Sequence, residues 1–276
     1  MGLFREKRPR VLDGPGAELR LDAGDPEILA AATKVAIVAQ YSPDGRVSRS
    51  LTEYLREFAE NGYACLVIST APEAAGLAWA VPPPDRVVVM RRANLGYDFG
   101  SWSAGLNAFP YLAGLDHVVL TNDSMVGPFA PISSLLVDFE ATRADVWAMT
   151  DSWQIGHHFQ SYFVGFRRGV LAEAPLRSFF RGIRVEPTKM DVVMRYELGL
   201  SRACVAGGYA PTCRFRSHDL TPDAVNPTLA AWQPLLRSGF PFVKRTLITA
   251  PSTGADTDRI VDVVRATYGQ EINEWL

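Results

Sequence analysis

The stretch Lys34-Val-Ala-Ile-Val-Ala-Gln40 is an almost unbroken apolar run of strand length. Strands that are buried on both faces of a parallel sheet have this composition. The segment after it predicts a helix, because apolar side chains fall on one stripe: Leu51, Tyr54, Leu55, Phe58 and Ala59. Ser48 or Ser50 would cap this helix, and Asn61-Gly62 would end it. A second apolar run at 65–69 then completes a predicted strand-helix-strand unit with a right-handed crossover.

The same alternation continues along the chain. Further strands are predicted at 86–90, 117–121, 146–149 and, in antiparallel orientation, 159–167. Further helices are predicted at 26–32, 100–113, 132–139 and 260–267. This order predicts an α/β fold: a Rossmann-type, open, mostly parallel sheet that is flanked by helices. Sheets of this kind bind ligands at the carboxyl ends of their strands, and polar residues follow several of the predicted strands at that point.

The composition is that of an ordinary globular domain, with 276 residues, 47% hydrophobic and 21% charged. The formal net charge of −2 provides no overall field that would attract nucleic acid. Residues 1–33 are predicted to be an N-terminal extension, loosely ordered up to residue 24, and residues 34–276 the main domain. The extension carries a basic cluster that is either a solvated tail or a weak contact with an anionic membrane: Arg5, Lys7, Arg8 and Arg10.

The cysteines indicate a reducing compartment. Their number is odd, and the C-x-x-C spacing does not occur among Cys65, Cys204 and Cys213. The first residues are charged rather than apolar, so we expect no secretory signal. No run approaches the roughly 18 apolar residues of a membrane-spanning helix. We therefore expect a cytoplasmic protein whose membrane contact, if it has one, is peripheral at the inner face.

Several well-known catalytic motifs are absent from the sequence. No G-x-G-x-x-G follows the first strand, so the dinucleotide-binding fingerprint is missing, and the absence of G-x-x-x-x-G-K-[ST] disfavours a P-loop. Neither G-x-S-x-G nor H-E-x-x-H occurs, which disfavours a serine hydrolase and a zinc protease.

Three polar motifs remain, and each has a structural alternative. Arg91-Arg-Ala-Asn94-Leu-Gly96-Tyr-Asp98-Phe-Gly100 follows a strand and opens a helix, so it is either a ligand loop or a capped turn. Asn122-Asp123-Ser124 ends another strand, where Asp123 could hold Mg²⁺ or Mn²⁺ or could cap an Asx turn. The third motif either receives a sugar or is a loop with a partly buried strand, and its polar and aromatic members are Asp151, Trp153, His157, His158, Gln160 and Tyr162.

The order of these motifs resembles that of known glycosyltransferases. An N-x-G-x-D motif, a helix and a strand ending in N-D resemble the inverting family-2 type enzymes with a GT-A fold. More closely, the chain resembles the rhamnan synthesis protein F family. Five segments within residues 34–248 carry this resemblance: Asn94-Leu-Gly-Tyr-Asp-Phe-Gly100, Thr121-Asn-Asp-Ser-Met-Val-Gly-Pro-Phe129, His158-Phe-Gln-Ser-Tyr-Phe163, Tyr196-Glu-Leu-Gly-Leu-Ser201, and Asn226-Pro-Thr228 with Pro241-Phe-Val-Lys244.

The resemblance implies an enzyme of surface-polysaccharide synthesis. It would transfer a deoxyhexose from a donor such as dTDP-rhamnose to a glycan or lipid-linked acceptor. Residues 34–150 would form the nucleotide-sugar half of the domain and residues 151–276 the acceptor half. The residues that would bind the donor are Tyr41, Ser42, Arg92, Asn94, Gly96, Asp98, Asn122, Asp123 and Lys244. Asp123 would be the metal ligand, and Asn122 takes the place of the first carboxylate of a full D-x-D motif.

An inverting transfer needs one general base for the acceptor hydroxyl and positive charge at the departing diphosphate. Asp151 is the first candidate for the base, followed by His158 and Glu197. Arg91, Arg92 and Lys244 are candidates for the diphosphate partners. The expected acceptor site consists of Trp153, His157, Gln160 and Tyr162.

Two other functions compete with this interpretation. One is a catalytically silent protein that binds a nucleotide-sugar, which the incomplete carboxylate pair at Asn122 and Asp123 favours. The other is a polysaccharide hydrolase or deacetylase that uses Asp151 with His157 or His158. Binding of dTDP or UDP separates them, because a hydrolase should bind neither nucleotide.

Overall fold

A computed structural model describes residues 8–72, 76–221, 225–250 and 256–276. One large sheet forms the centre of this part of the chain. The strands are β1 (Arg20–Ala23), β2 (Lys34–Gln40), β3 (Arg46–Val47), β4 (Ala64–Ser69), β5 (Ala78–Trp79), β6 (Val87–Arg91), β7 (His117–Asn122), β8 (Met125–Val126), β9 (Val146–Ser152), β10 (His158–Phe159), β11 (Phe163–Arg167), β12 (Pro211–Phe215) and β13 (Val243–Lys244). The helices are α1 (Glu27–Ala30), α2 (Arg49–Glu60), α3 (Tyr97–Ala108), α4 (Ser133–Ala141), α5 (Ala174–Arg181), α6 (Lys189–Val192), α7 (Leu198–Ala206), α8 (Ser217–Leu220), α9 (Pro227–Ala230), α10 (Trp232–Arg237), α11 (Arg245–Thr249) and α12 (Thr257–Tyr268).

The sheet is mostly parallel and has helices on both faces. Its strand order is β1-β6-β4-β2-β7-β11-β9-β10, and β12 pairs with β9. β6, β4, β2 and β7 run parallel, and β11 lies antiparallel between β7 and β9. The predicted α/β fold with a mostly parallel sheet is therefore confirmed. Because β11 reverses direction, β7 and β9 are parallel and end at the same edge.

The first strand-helix-strand unit forms where the sequence predicts it. β2 is buried from Val35 to Gln40, as expected for a strand between two helical layers. Ser48 is the N-cap of α2, where its hydroxyl oxygen accepts a hydrogen bond from the backbone of Leu51. The helix ends at Asn61-Gly62, and Gly62 has a φ of +85°, which favours glycine.

The N-terminal segment is more ordered than its composition suggests. β1 pairs antiparallel with β6 at the edge of the sheet, and the buried Val11 donates a backbone hydrogen bond to Ile183. The expectation of a loosely ordered segment is therefore wrong for residues 8–24. Arg8 pairs with Glu186 and Arg10 with Asp13, while Arg5 and Lys7 lie outside the described residues.

The strand predicted at 159–167 consists of two pieces. β10 pairs with the end of β9, residues 160–162 leave the sheet, and β11 then pairs with both β9 and β7. Its predicted antiparallel direction is confirmed. Within the described ranges, every helix falls short of the length and apolar character that crossing a bilayer requires.

Gly165 in β11 provides a test of this packing. A Cβ atom at this position would collide with the ring of Phe139 on α4. We expect Gly165→Ala to lower the free energy of unfolding by about 1–3 kcal/mol, because the buried ring has no room to move. Gly114→Ala is the control, since no atom lies within 4 Å of its added Cβ, and it should change stability by less than about 0.5 kcal/mol. Urea denaturation of both variants measures the difference, and equal stabilities would contradict the packing.

Candidate functional site

A cavity of about 1120 Å³ opens at the carboxyl ends of the parallel strands. The loops after β2, β4, β6 and β7 contribute to its wall. Parallel α/β sheets bind their ligands at this edge. The structure brings together here most of the residues expected to bind a donor, and those that line the cavity are Tyr41, Ser42, Asn94, Gly96, Asp98 and Asp123.

A hydrogen-bonded network joins the segments that follow β2, β6 and β7. Asn122 donates its side-chain amide to Asp98 Oδ2 at 2.8 Å, and its carbonyl oxygen accepts from the backbone of Ser124 at 3.1 Å. Asp123 Oδ2 accepts from the backbone N–H of Tyr41 at 3.1 Å. Asn122 thus joins Asp98 to the backbone of the loop after β7, and an aspartate at its position could not donate the hydrogen bond to Asp98.

Two cationic residues reach this network from the distant end of the chain. β13 pairs with β8, which starts two residues after Asp123. As a result, Lys244 Nζ donates to Ser124 Oγ at 3.0 Å, and Arg245 Nε donates to the backbone carbonyl of Asp123 at 3.3 Å. A second nitrogen of Arg245 donates to Ser48 Oγ at 3.2 Å. Ser124 and Arg245 line the cavity. Lys244 reaches it through its hydrogen bond to Ser124.

Burial shifts the proton equilibria of these groups. It raises the pKa of Asp98 to about 6, against the opposing effect of Lys244. It raises the pKa of Asp123 to about 7, and the nearby charge of Asp98 adds to that rise. It lowers the pKa of Lys244 to about 8, although Glu197, Asp98 and Asp123 all favour the charged form. A ligand that brings positive charge would lower the raised pKa values of Asp98 and Asp123 and so favour their ionised forms.

Asp98 should make the stability of the protein depend on pH. Its folded pKa lies above its unfolded value, so its contribution is present below about pH 4 and is lost as the pH rises through about 6. In Asp98→Asn, we expect the decline in unfolding free energy between pH 4 and pH 6 to be smaller by about 1–3 kcal/mol. Denaturant titrations at several pH values measure this decline.

The matched control for that titration is Asp44→Asn. Asp44 lines the same cavity, but a hydrogen bond from Ser42 lowers its pKa. We expect Asp44→Asn to show the same decline in the free energy of unfolding between pH 4 and pH 6 as the unmodified protein. A decline that is the same in Asp98→Asn and in the unmodified protein would contradict the assigned burial of Asp98.

Arg91, the last residue of β6, and Arg92, which follows it, do not line the cavity. Arg92 donates to the carbonyls of Gly16 and Leu95 and to the hydroxyl of Ser101, and burial lowers its pKa to about 10. Arg91 donates to the carbonyls of Ala71 and Pro72. The structure does not bring Arg92 to the donor-binding residues, because protein acceptors hold its guanidinium against the N-terminal segment.

A second polar cluster forms at the end of β9. Asp151 Oδ2 lies 3.0 Å from His157 Nε2, and Asp151 Oδ1 accepts from the backbone of Ser217 at 2.7 Å. Leu120 of β7 and Ala148 of β9 are both paired with Val164 of β11. Asp123 and Asp151 each follow three residues later in these parallel segments, so we place them at the same height along the strand direction. Two strand spacings of about 4.8 Å separate them by about 10 Å.

The two remaining base candidates lie beside this cluster. Glu197 ends a π-helical turn at Val193–Glu197, a local distortion that often occurs at functional sites. Its Oε1 accepts from Ser161 at 2.9 Å, and its Oε2 is 3.9 Å from His158 Nε2. His158 is buried, and its Nδ1 is 2.8 Å from the carbonyl of Gly156.

Two residues expected at the acceptor site have structural roles instead. Gln160 and Tyr162 are buried, and the side-chain hydroxyl of Thr150 bonds to both of them, at 2.7 Å and 2.8 Å. They occupy the bend between β10 and β11, where their polar atoms must find partners inside the protein. Trp153 and His157 remain accessible: Trp153 is 48% exposed and the His157 side chain 38%.

Several cavity residues were missed by the sequence reasoning. Arg245, Glu186 and Lys189 line the cavity, although none was predicted. The motif Pro-Phe-Val-Lys244 pointed to the neighbour of Arg245, so this residue could have been found by extending the motif by one position. Glu186 and Lys189 lie in a segment that has no motif, and only the fold brings them to the site.

Comparison with known proteins places the chain in a family. The virulence protein VirA of Vibrio anguillarum is 30% identical over 199 residues, which cover 60% of this chain and 64% of that protein. The uncharacterised protein y4gN of Sinorhizobium fredii is 23% identical over 154 residues, which cover 54% of this chain and 40% of that protein. The chain thus spans less than two thirds of the length of either relative.

The family model described as rhamnan synthesis protein F matches residues 85–273. The matched region begins just before β6 and includes Asp98, the Asn122-Asp123-Ser124 motif, Asp151 and Lys244. Because it extends over more than half of the 276 residues, the chain belongs to the rhamnan synthesis protein F family, a family of polysaccharide synthesis.

Proposed function

We propose that the chain transfers rhamnose or a related deoxyhexose from a nucleotide-sugar to a glycan or lipid-linked acceptor, with inversion, on a GT-A-like framework. The observation that carries this proposal is the meeting of Asp98, Asp123, Lys244 and Arg245 at the cavity at the strand ends. Such a mixture of partly buried carboxylates and cations suits a diphosphate, which carries negative charge and often binds with a divalent cation.

The donor would lie along the cavity wall. The nucleotide base would contact Tyr41 and Ser42, and the ribose would lie near Asp98. The diphosphate would be near Ser124, where Lys244 and Arg245 provide positive charge. The cavity volume of about 1120 Å³ lies just above the range of about 300–1,000 Å³ that is common for ligand pockets, which leaves room for a ligand as large as a nucleotide-sugar.

The side chains present fit a divalent cation that is held mainly by the substrate. No group of three or more histidine, cysteine, aspartate or glutamate side chains within the described residues could hold a metal ion alone. Mg²⁺ needs only one or two carboxylates when substrate phosphates provide the other oxygens. Asp123 would be the first ligand and Asp98 the second. When bound, the cation would neutralise charge on the departing diphosphate.

The acceptor would lie at the end of β9. The distance of about 10 Å between Asp123 and Asp151 leaves room for the transferred sugar between the diphosphate and the acceptor hydroxyl. Asp151, His158 and Glu197 are the candidates for taking up the acceptor proton. The hydroxyl oxygen would attack the anomeric carbon on the face opposite the nucleotide, which inverts that centre.

A silent nucleotide-sugar binder is the second candidate, and one observation favours it. Asn122 occupies the place of a carboxylate and is engaged with Asp98 and Ser124, so the motif supplies a single charged ligand. Such a protein would bind the donor in the same cavity. It would release neither free sugar nor a glycosylated product.

Calorimetry and a turnover assay test the proposal together. We expect dTDP or UDP to bind, more tightly with Mn²⁺, and dTDP-rhamnose to be consumed with release of dTDP when an acceptor is added. Binding without turnover for any donor sugar would identify the silent protein. If neither nucleotide binds, the proposed function is wrong, and a hydrolase that uses the cluster at Asp151 takes its place.

A further inference from the structure

Asp151 is already engaged on both of its oxygen atoms. Oδ1 accepts the backbone N–H of Ser217 at the start of α8, and Oδ2 lies 3.0 Å from Nε2 of His157. Burial alone would raise the pKa of Asp151, but the bonds from His157 and Ser217 outweigh it and lower this pKa. A carboxylate that is anchored in this way orients a neighbour better than it takes up a proton.

The pairing with Asp151 defines which nitrogen of His157 is basic. An ionised carboxylate only accepts hydrogen bonds, so Nε2 of His157 carries the proton that it donates to Oδ2. The lone pair then belongs to Nδ1. Nδ1 has no hydrogen-bond partner in the part of the chain that the structure describes. The ring lies between the buried Asp151 and the solvent, with 38% of the side chain exposed.

Aromatic contacts fix the imidazole in this orientation. The ring of Trp153 lies 4.8 Å from that of His157 with an interplanar angle of 35°, and Phe159 meets it edge-on at 5.8 Å. The ring of His218 also contacts that of Trp153, and the two ring centroids are 5.3 Å apart. The indole is half exposed, so it offers a flat apolar surface beside Nδ1. The apolar face of a sugar ring suits such a surface.

The side chains of the other base candidates are less exposed than that of His157. His158 is buried, with one nitrogen at the carbonyl of Gly156 and the other facing Glu197. Glu197 accepts a hydrogen bond from Ser161 and shares its second oxygen with His158. Among the groups near the end of β9, His157 alone combines a fixed tautomer with a solvent-facing lone pair.

We propose, building on the glycosyl transfer proposed above, that His157 is the catalytic base, that Asp151 is its positioning residue, and that Trp153 supports the acceptor sugar. Nδ1 takes the proton of the acceptor hydroxyl as its oxygen forms the bond to the anomeric carbon. The bond from that carbon to the phosphate oxygen breaks, and its electron pair leaves with the nucleoside diphosphate. The imidazolium then loses the proton to water.

Transfer from dTDP-rhamnose to octyl rhamnoside tests the role of the imidazole. His157→Ala should lower kcat about 10²–10⁴-fold, and added imidazole should restore part of that loss. Gln154→Ala is the matched control, because it removes an exposed polar side chain from the same loop between β9 and β10 without touching Asp151. It should remain within threefold of the unmodified protein. Trp153→Ala should raise KM for the acceptor more than it lowers kcat.

A second measurement tests the positioning role of Asp151 without turnover. Long-range ¹⁵N–¹H spectra should show the His157 proton on Nε2. Asp151→Asn should move it to Nδ1 and lower kcat about as much as His157→Ala, because an amide can donate to Nε2 and stabilise the wrong tautomer. His157→Ala should bind dTDP with unchanged affinity, since the residue lies outside the donor cavity.

The outcomes separate this inference from the proposed function. If the unmodified protein transfers rhamnose and His157→Ala retains kcat within tenfold, or if the proton lies on Nδ1 in the unmodified protein, the inference is wrong and the proposed function stands. If the unmodified protein neither binds dTDP nor transfers rhamnose to octyl rhamnoside, both are overturned.

Discussion

Lys244→Met should lower the rate of sugar transfer by about 10²–10³-fold and leave the fold intact. The methionine fills the same space, but it removes the charge that Lys244 holds beside Ser124. That charge is most valuable when the diphosphate departs, so kcat should fall more than KM rises. Because burial lowers the pKa of Lys244 to about 8, activity of the unmodified protein should also decline as the pH rises through that value.

The control for this substitution is Lys189→Met. Lys189 lines the same cavity but is exposed, so water screens its charge. Its loss should reduce turnover only a few-fold. Equal effects of the two substitutions, measured as dTDP release under saturating donor, would mean that general attraction rather than a specific contact accounts for the role of Lys244.

Asp123→Asn should abolish the effect of Mn²⁺ on nucleotide binding and reduce transfer about 10³-fold. Asparagine keeps the size of the side chain and can still accept from the backbone of Tyr41, so the loop should keep its shape. The amide cannot provide the negative charge that a divalent cation requires. Calorimetry with dTDP, with and without Mn²⁺, measures the first effect and a turnover assay the second.

Asp44→Asn serves as the comparison for that experiment as well. Asp44 is an exposed carboxylate on the same cavity wall, and it should respond to Mn²⁺ like the unmodified protein. If Asp123→Asn still binds dTDP more tightly with Mn²⁺, then Asp123 is not the ligand. In that case Lys244 and Arg245 would be the main partners of the diphosphate.

The parallel part of the sheet could be predicted because its strands are buried on both faces. β2 and β4 are continuous apolar runs, and between them α2 shows one apolar stripe with a serine cap. The local amino-acid sequence is enough to predict these two strands and this helix. β8 and β13 have two residues each, too few to form a pattern, and only their pairing brings Lys244 to Ser124.

The candidate site was predicted in part for the same reason. Asp98 and Asp123 could be found because each follows a strand of the parallel sheet. The accessibility of a side chain, by contrast, depends on tertiary packing. Arg92 and Tyr162 carry functional groups suited to binding, yet neighbouring protein atoms occupy those groups. The Asp151–His157 pair joins two motif residues whose contact depends on how the chain turns between β9 and β10.

The antiparallel strand β11 has a consequence for the size of molecule that the protein accepts. It is interposed between β7 and β9, and hydrogen bonds on both of its sides hold those strands at a constant separation. Under the proposed function, a compound that engages both polar clusters must bridge the interval between the ends of β7 and β9. The width of β11 sets this interval, so under the proposed function the backbone contributes to selection of ligands by length, and side-chain substitutions would leave that contribution in place.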